Sequence, residues 1–210
     1  AALVGQLASW APEEYLNIWV MPLTSPTIGY ASFPISNELE GLSNPTVTRE
    51  TDGVAIDYNY FGSIGNVSQN SMGRTATHEM GHFLGLRHTW GDGNCDVDDF
   101  VTDTPLQSQS NNSCIVTPRF TCDSRDMVEN FMDYTPDRCM SLFTQGQVER
   151  MDIILAYSPR RASLPTSRAL SEPQIYSNDV ELTNIISPSG YRCSNTVTPL
   201  IEIVNTGQEV

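Results

Sequence analysis

Between Pro12 and Pro22 the chain carries Tyr15-Leu16-Asn17-Ile18-Trp19-Val20, rich in aromatic and β-branched side chains, which predicts a strand. A second strand, Val54-Ala55-Ile56-Asp57-Tyr58, is launched from an Asp52-Gly53 turn, and Gly29 to Pro34 offers a short one between them. Residues 36 to 50 fit neither period. The pattern then turns helical. Met72 to Leu84 reads as a helix with Ser71 as its N-cap and Gly85 as the left-handed residue that ends it. Residues 91 to 130 hold Gly, Asp, Asn, Ser and Pro without a sustained period. A loop region of that length in a compact domain is functional or stapled. Thr144-Gln145-Gly146-Gln147 is a capping box for a last helix. On it Val148, Met151, Ile154 and Leu155 share one face, as a core helix requires, until Ser158-Pro159 stops it.

Beyond that helix the composition shifts to Arg, Ser, Pro and Ala, the signature of a linker. Glu181-Leu182-Thr183 and Leu200 to Val204 then read as strands, the second ending in an Asn205-Thr206-Gly207 turn. A β-sandwich needs about a hundred residues, so this stretch is too short to close one. The expected organisation is a first domain over residues 1–157, a linker over 158–173 and the beginning of a β-rich, sandwich-like domain over 174–210. The chain is expected to end inside that second domain. It opens on Ala1-Ala2-Leu3-Val4 without a basic segment, so any export signal or pro-segment is expected to have been removed.

Composition narrows the function classes. With 39% hydrophobic and 17% charged residues over 210 positions the chain is globular. No apolar run approaches the roughly 18 residues of a membrane span. A net charge of −14 argues against nucleic acid and against anionic membrane surfaces. None of the five cysteines forms a CxxC pair. Cys95, Cys114, Cys122 and Cys139 fall inside one 45-residue stretch that is otherwise loop-like and polar and buries little apolar surface. Disulfides are the usual remedy there, so an oxidising, extracellular location is expected. Cys193 is the odd one, its partner lying beyond Val210 or absent.

Residues 78 to 88 read His-Glu-Met-Gly-His-Phe-Leu-Gly-Leu-Arg-His. His78 and His82 are four apart, so on a helix both imidazoles leave from one face and can reach a single zinc at about 2.0–2.1 Å. Glu79, beside the first ligand, can address a metal-bound water without ligating the metal. Gly85 turns the chain so that His88 returns as a third ligand, which leaves one coordination position open, as in a catalytic zinc. A lone His-Glu-x-x-His arises by chance on amphipathic helices. Here the chain has only 3 histidines, and all fall at ligand positions.

This stretch resembles the long zinc signature of the metzincin metallopeptidases, which implies a methionine turn downstream. Asn130-Phe131-Met132-Asp133-Tyr134 fits it, with Met132 as the turn residue. Gly73 to Thr77, Trp90 to Gly93, Asp103-Thr104-Pro105 and Cys139 to Gln147 narrow the resemblance to the pappalysin family, nearest its secreted bacterial cytophagalysin-type members. It extends over about residues 1 to 157. The resemblance implies an α+β fold: an α/β-like upper subdomain with a twisted mixed sheet and the active-site helix, and an irregular, disulfide-bonded lower subdomain. It also implies the pairs Cys95–Cys122 and Cys114–Cys139, where the sequence alone leaves three pairings open.

The implied activity is endopeptidase, with Glu79 as general base and then general acid and zinc as Lewis acid. Tyr134 would donate to the developing oxyanion, or is a packed Tyr bonded to backbone. Asp137, just past the turn, would favour Arg or Lys after the scissile bond, or is a solvated carboxylate paired with a neighbour such as Arg138. Asp92, Asp96, Asp98, Asp99 and Asp103 crowd one loop, as a calcium site or as a solvated acidic segment. Two glycosylation sequons start at Asn66 and Asn111. The expected partners are protein or peptide substrates, with no nucleic acid and no membrane insertion, and the expected state is a monomer. The competing reading is a catalytically silent, zinc-bearing binding or adhesion module.

Overall fold

A computed structural model describes residues 2–42, 47–64, 68, 71–114, 117–172, 177, 179–187, 196 and 198–207. The chain forms two units, Ala1–Leu170 and Ser171–Val210. The first opens with a short helix α1 (Ala2–Leu7) that no sequence period announced, followed by strands β1 (Asn17–Met21), β2 (Gly29–Ala31) and β3 (Gly53–Asp57). They make one sheet in the order β1-β3-β2, with β1 parallel and β2 antiparallel to β3. β3 is buried along its whole length because it is central, and its Val54 and Ile56 pack with Phe83 as the core. β1 alternates buried and exposed positions, as an edge strand with one covered face should. β2 is the other edge.

Helix α2 (Arg74–Phe83) lies against β2 and β3. It starts two residues later than expected, and Ser71 is not its cap. Gly73 takes that place in the left-handed region at φ 77°. The hydroxyl of Ser71 donates instead to Gly62 O at 3.0 Å. The first N–H groups are served from a distance, since Asp137 Oδ2 accepts from Met72 N at 2.7 Å and Arg74 N at 3.0 Å. The C-terminus follows the expectation. Gly85, at φ 88°, lets Gly85 N reach His82 O and Leu86 N reach Gly81 O, which closes the helix in a Schellman turn.

The loop region carries one hairpin, β4 (Phe120–Thr121) with β5 (Ser124–Arg125). Its turn residues Cys122 and Asp123 both have positive φ, 50° and 60°. Asn-Gly is the usual pair in such a turn, so nothing local advertised this hairpin. Cys95 is bonded to Cys122 and Cys114 to Cys139, the pairing that the family resemblance implies. Asn111 is fully buried and hydrogen-bonded, so its sequon is no glycosylation acceptor. Asn66 lies outside the described residues.

Helix α3 (Gln145–Tyr157) opens with the expected capping box between Thr144 and Gln147. Its buried face differs from the apolar one expected. Ile154 is buried, but Val148 is 38% exposed, and Gln147 and Arg150 take the inner positions. Arg150 is used there as a hydrogen-bond donor, to Gly85 O at 2.9 Å and Glu40 O at 2.6 Å. Residues 158 to 170, expected within a linker, pack on the first unit. Arg161 is 1% exposed, its guanidinium 3.5 Å from the Phe83 ring, donating to Asp52, Phe83 O and Ser32 O.

The second unit is described as an antiparallel pair, β6 (Val180–Ser187) and β7 (Leu200–Asn205). Cys193 lies outside the described residues. Among those residues no helix is long and apolar enough to cross a membrane.

Candidate active site

α2 brings His78 and His82 to one face, and the turn at Gly85 returns His88 toward them. The three Nε2 atoms converge: His88 Nε2 lies 3.2 Å from that of His78 and 3.0 Å from that of His82. Each Nδ1 faces an oxygen that can only accept. The partners are Phe131 O at 2.7 Å for His78, Leu86 O at 2.8 Å for His82 and Asp92 Oδ1 at 2.5 Å for His88. Each ring therefore carries its proton on Nδ1 and turns an Nε2 lone pair inward. Three lone pairs at that separation repel one another unless a cation lies among them. Burial and the neighbouring rings keep the first two rings neutral, with His78 pushed down to about 4 and His82 well below its ordinary value. Neutral imidazoles are what a metal needs. Among the described residues this is the one group of three or more His, Cys, Asp or Glu side chains close enough to hold a metal.

Glu79 is buried beside the triad. Burial pushes its carboxyl up to about 8, and its Oε2 has no hydrogen-bond partner in the protein. A buried oxygen left bare is costly, so it marks where a ligand or water belongs. Met132 is fully buried under α2, where a side chain on Gly81 would run into its sulfur. The turn methionine thus sits below the histidines. Tyr134 is 49% exposed, its ring centroid 4.8 Å from those of His88 and Trp90. Burial, Asp92 and Glu79 raise its pKa, so its hydroxyl keeps its proton.

The three histidines, Glu79 and Tyr134 line a cleft of about 550 Å³ together with Ile28, Gly29, Tyr30, Arg74 and Asp137. Asp137 does face it, yet its Oδ2 is engaged by the start of α2, a role its sequence position did not suggest. The acidic loop does not converge on a common point. Asp92 orients His88, and Asp98 accepts from Phe100 N. Asp99 is buried and accepts from Val101 N and Thr104 Oγ1, while Asp103 accepts from Gly146 N at the start of α3. Asp96 is exposed. Among the described residues these carboxylates form no group close enough to share a cation, because short polar side chains in an irregular loop satisfy local N–H groups first.

One functional residue escaped sequence reasoning altogether. Asp133 is fully buried, and its two oxygens accept from Asn111 N and Nδ2, Gln107 Nε2 and Tyr134 N. It fixes the backbone of Tyr134 to the disulfide-bonded loop. Its place next to Met132 was the available signal.

The fold and the donor set are those of the metzincin class of zinc-peptidase folds. The sequence profile of peptidase family M43, described as pregnancy-associated plasma protein-A, matches residues 5–156. The chain therefore belongs to this pappalysin family. It is 40% identical over 140 residues to an extracellular metalloprotease of Colletotrichum graminicola, covering 65% of this chain and 48% of that protein. With an extracellular metalloprotease of Arthroderma gypseum it shares 34% over 147 residues, 67% of this chain and 47% of the other. The chain spans about half the length of these curated relatives. Among solved structures, mature mirolysin of Tannerella forsythia in complex with a cleaved peptide matches at 41% identity and a TM-score of 0.67, over 79% of this chain and 62% of that one.

Proposed function

We propose that the first unit is a secreted zinc endopeptidase in which His78, His82 and His88 hold the metal and Glu79 moves the proton. The observation that carries this reading is three inward Nε2 lone pairs beside a buried carboxylate with a bare oxygen. Three converging imidazoles suit zinc and leave a fourth position for chemistry. When bound, zinc supplies the Lewis acidity that activates a water and polarises the scissile carbonyl. Glu79 accepts the proton of the attacking water and returns it to the leaving amine. Burial lifts its affinity for that proton, and a neighbouring cation opposes the rise, so the carboxyl works near neutrality. Tyr134 keeps its hydroxyl protonated at the rim and donates to the oxyanion.

β2 is an edge strand lining the cleft, so a substrate peptide pairs with it as an added strand. The likeness to mirolysin, solved with a cleaved peptide, supports that occupant. Asp137, on the cleft wall, favours Arg or Lys after the scissile bond through a charge-assisted hydrogen bond. Two disulfides and the extracellular relatives support secretion.

Casein or gelatin hydrolysis by protein carrying one zinc per chain, abolished by Glu79→Ala, is the expected result. Purified, unchelated protein without stoichiometric zinc, or hydrolysis that survives Glu79→Ala, overturns the reading. Zinc-loaded protein that hydrolyses nothing returns the case to a silent binding module. A peptide library reads the side-chain preference, and Asp137→Asn should weaken selection of Arg by roughly tenfold or more.

A further inference from the structure

We infer that Gly29 is a positioning residue for Glu79: the side chain it lacks is the space in which the carboxylate stands. The inference rests on the endopeptidase reading above. In β2 the side-chain period of two turns Gly29 and Ala31 toward α2 and Tyr30 away from it. A Cβ placed on Gly29 would lie 2.6 Å from Glu79 Oε1, 2.9 Å from Glu79 Cγ and 3.0 Å from Thr75 Cγ2. Ordinary carbon contacts begin near 3.5 Å. Gly29 is outside the left-handed region, unlike Gly73 and Gly85, so backbone conformation does not require glycine here. A glycine within a strand weakens it and marks a close approach by another group. Here the approaching group is the proposed catalytic carboxylate.

What would yield to a side chain at 29 follows from how the neighbours are held. β2 is paired to the buried strand β3, with Gly29 opposite Ile56. The helix under it is fixed at its start by Asp137 and at its end by the Gly85 turn. Thr75 is itself buried, one helical turn before Glu79. Glu79 has rotatable bonds and a bare oxygen, so it is the softest neighbour and moves first. A methyl group at position 29 therefore displaces the proton carrier and leaves the fold and the histidines in place.

The test is Gly29→Ala in the full, zinc-loaded chain, assayed with a fluorogenic peptide. A misplacement of about 1 Å costs on the order of 100-fold in rate, so kcat should fall by roughly that factor. KM, zinc affinity in a chelator competition and the melting temperature should stay near those of the parent. In a Glu79→Gln background the same substitution should cost little more, because the proton-carrying carboxylate it acts through is gone. A rise in KM at constant kcat, or an equal further loss in the Glu79→Gln background, overturns the proposal, since Gly29 would then meet substrate or serve the fold. If the parent itself shows no turnover, the endopeptidase reading fails separately. A crystal structure of Gly29→Ala then decides: a displaced Glu79 carboxylate supports the inference and an unmoved one sinks it.

Discussion

The two halves of the first unit are held by different physics. Above the cleft, β3 buries Val54, Ala55 and Ile56 almost completely, with Val54 and Ile56 against Phe83, and regular backbone bonding fixes the sheet and α2. Below it, residues 91 to 130 have little regular structure and are tied by two disulfides and by buried Asp126 and Asp133 bonded to Asn111, Gln107 and Thr121. A periodic apolar pattern builds the first half and point contacts build the second. The histidine triad straddles the two, with His78 and His82 on α2 and His88 at the start of the loop region. The two halves should therefore fail in different ways.

The largest effect is expected from a cation buried in the upper half, Arg161 at 1% exposure. Arg161 joins Asp52 at the head of β3 to Phe83 O at the end of α2 and to Ser32 O just past β2. Arg161→Ala leaves Asp52, itself 2% exposed, without this partner. Arg160 remains 3.0 Å from Asp52, so the cost is up to about 3–5 kcal/mol, to be read in urea unfolding. Ending the chain after residue 157 should be at least as damaging. A truncated domain as stable as the intact one would show that this segment is a mere linker.

Next comes Asp99, which belongs to the lower half. Burial pushes its carboxyl up to about 7, against the opposing bonds from Thr104 and Val101. Since the folded state holds this proton more tightly than the unfolded one, stability from this group is full below about pH 4 and is lost as pH rises toward 7. The span is up to about 4 kcal/mol. Asp99→Asn keeps an acceptor and removes the titration. The stability difference between variant and parent should therefore grow in the variant's favour from pH 4 to 7. A difference independent of pH would sink the assignment.

The disulfides give the third test. Cys95 and Cys122 enclose a loop with a sequence separation of 27. Replacing both with Ser should cost about 3 kcal/mol. Hydrogen exchange should show the loss first in the lower half, with α2 and β3 still protected. Uniform loss of protection would mean that the two halves unfold as one.

What the sequence made legible follows the same division. Periodic patterns announced β1, β3 and α2, the capping box announced α3, and the histidine spacing announced the triad, because each is a local code with a physical repeat. Asp137 holding the start of α2 across 63 residues of chain, Asp133 gathering Gln107 and Asn111, and Arg150 on the inner face of α3 carry no such repeat. Buried polar side chains in irregular loops resemble solvated ones until the fold brings their partners. For that reason the acidic loop left a cation site and a solvated segment both open, and Arg161 read as linker.

The finest prediction concerns the ligand at the border. His78 and His82 direct Nδ1 to backbone carbonyls, which substitution does not remove, whereas His88 depends on the side chain of Asp92. That carboxylate fixes the tautomer and the angle of the ring, and loss of such a partner typically costs 10–100-fold in metal affinity. Asp92→Ala should weaken zinc binding by roughly that factor in a chelator competition, about 1.4–2.7 kcal/mol. Asp92→Asn, which keeps an oxygen toward Nδ1–H, should recover part of it. The stack of Trp90 on His88, with centroids 4.3 Å apart, still holds the ring plane in both variants, so the loss should stop short of losing the metal. Zinc affinity unchanged in Asp92→Ala would mean that the stack alone aims His88, and that the loop region contributes packing to the metal site and no polar contact.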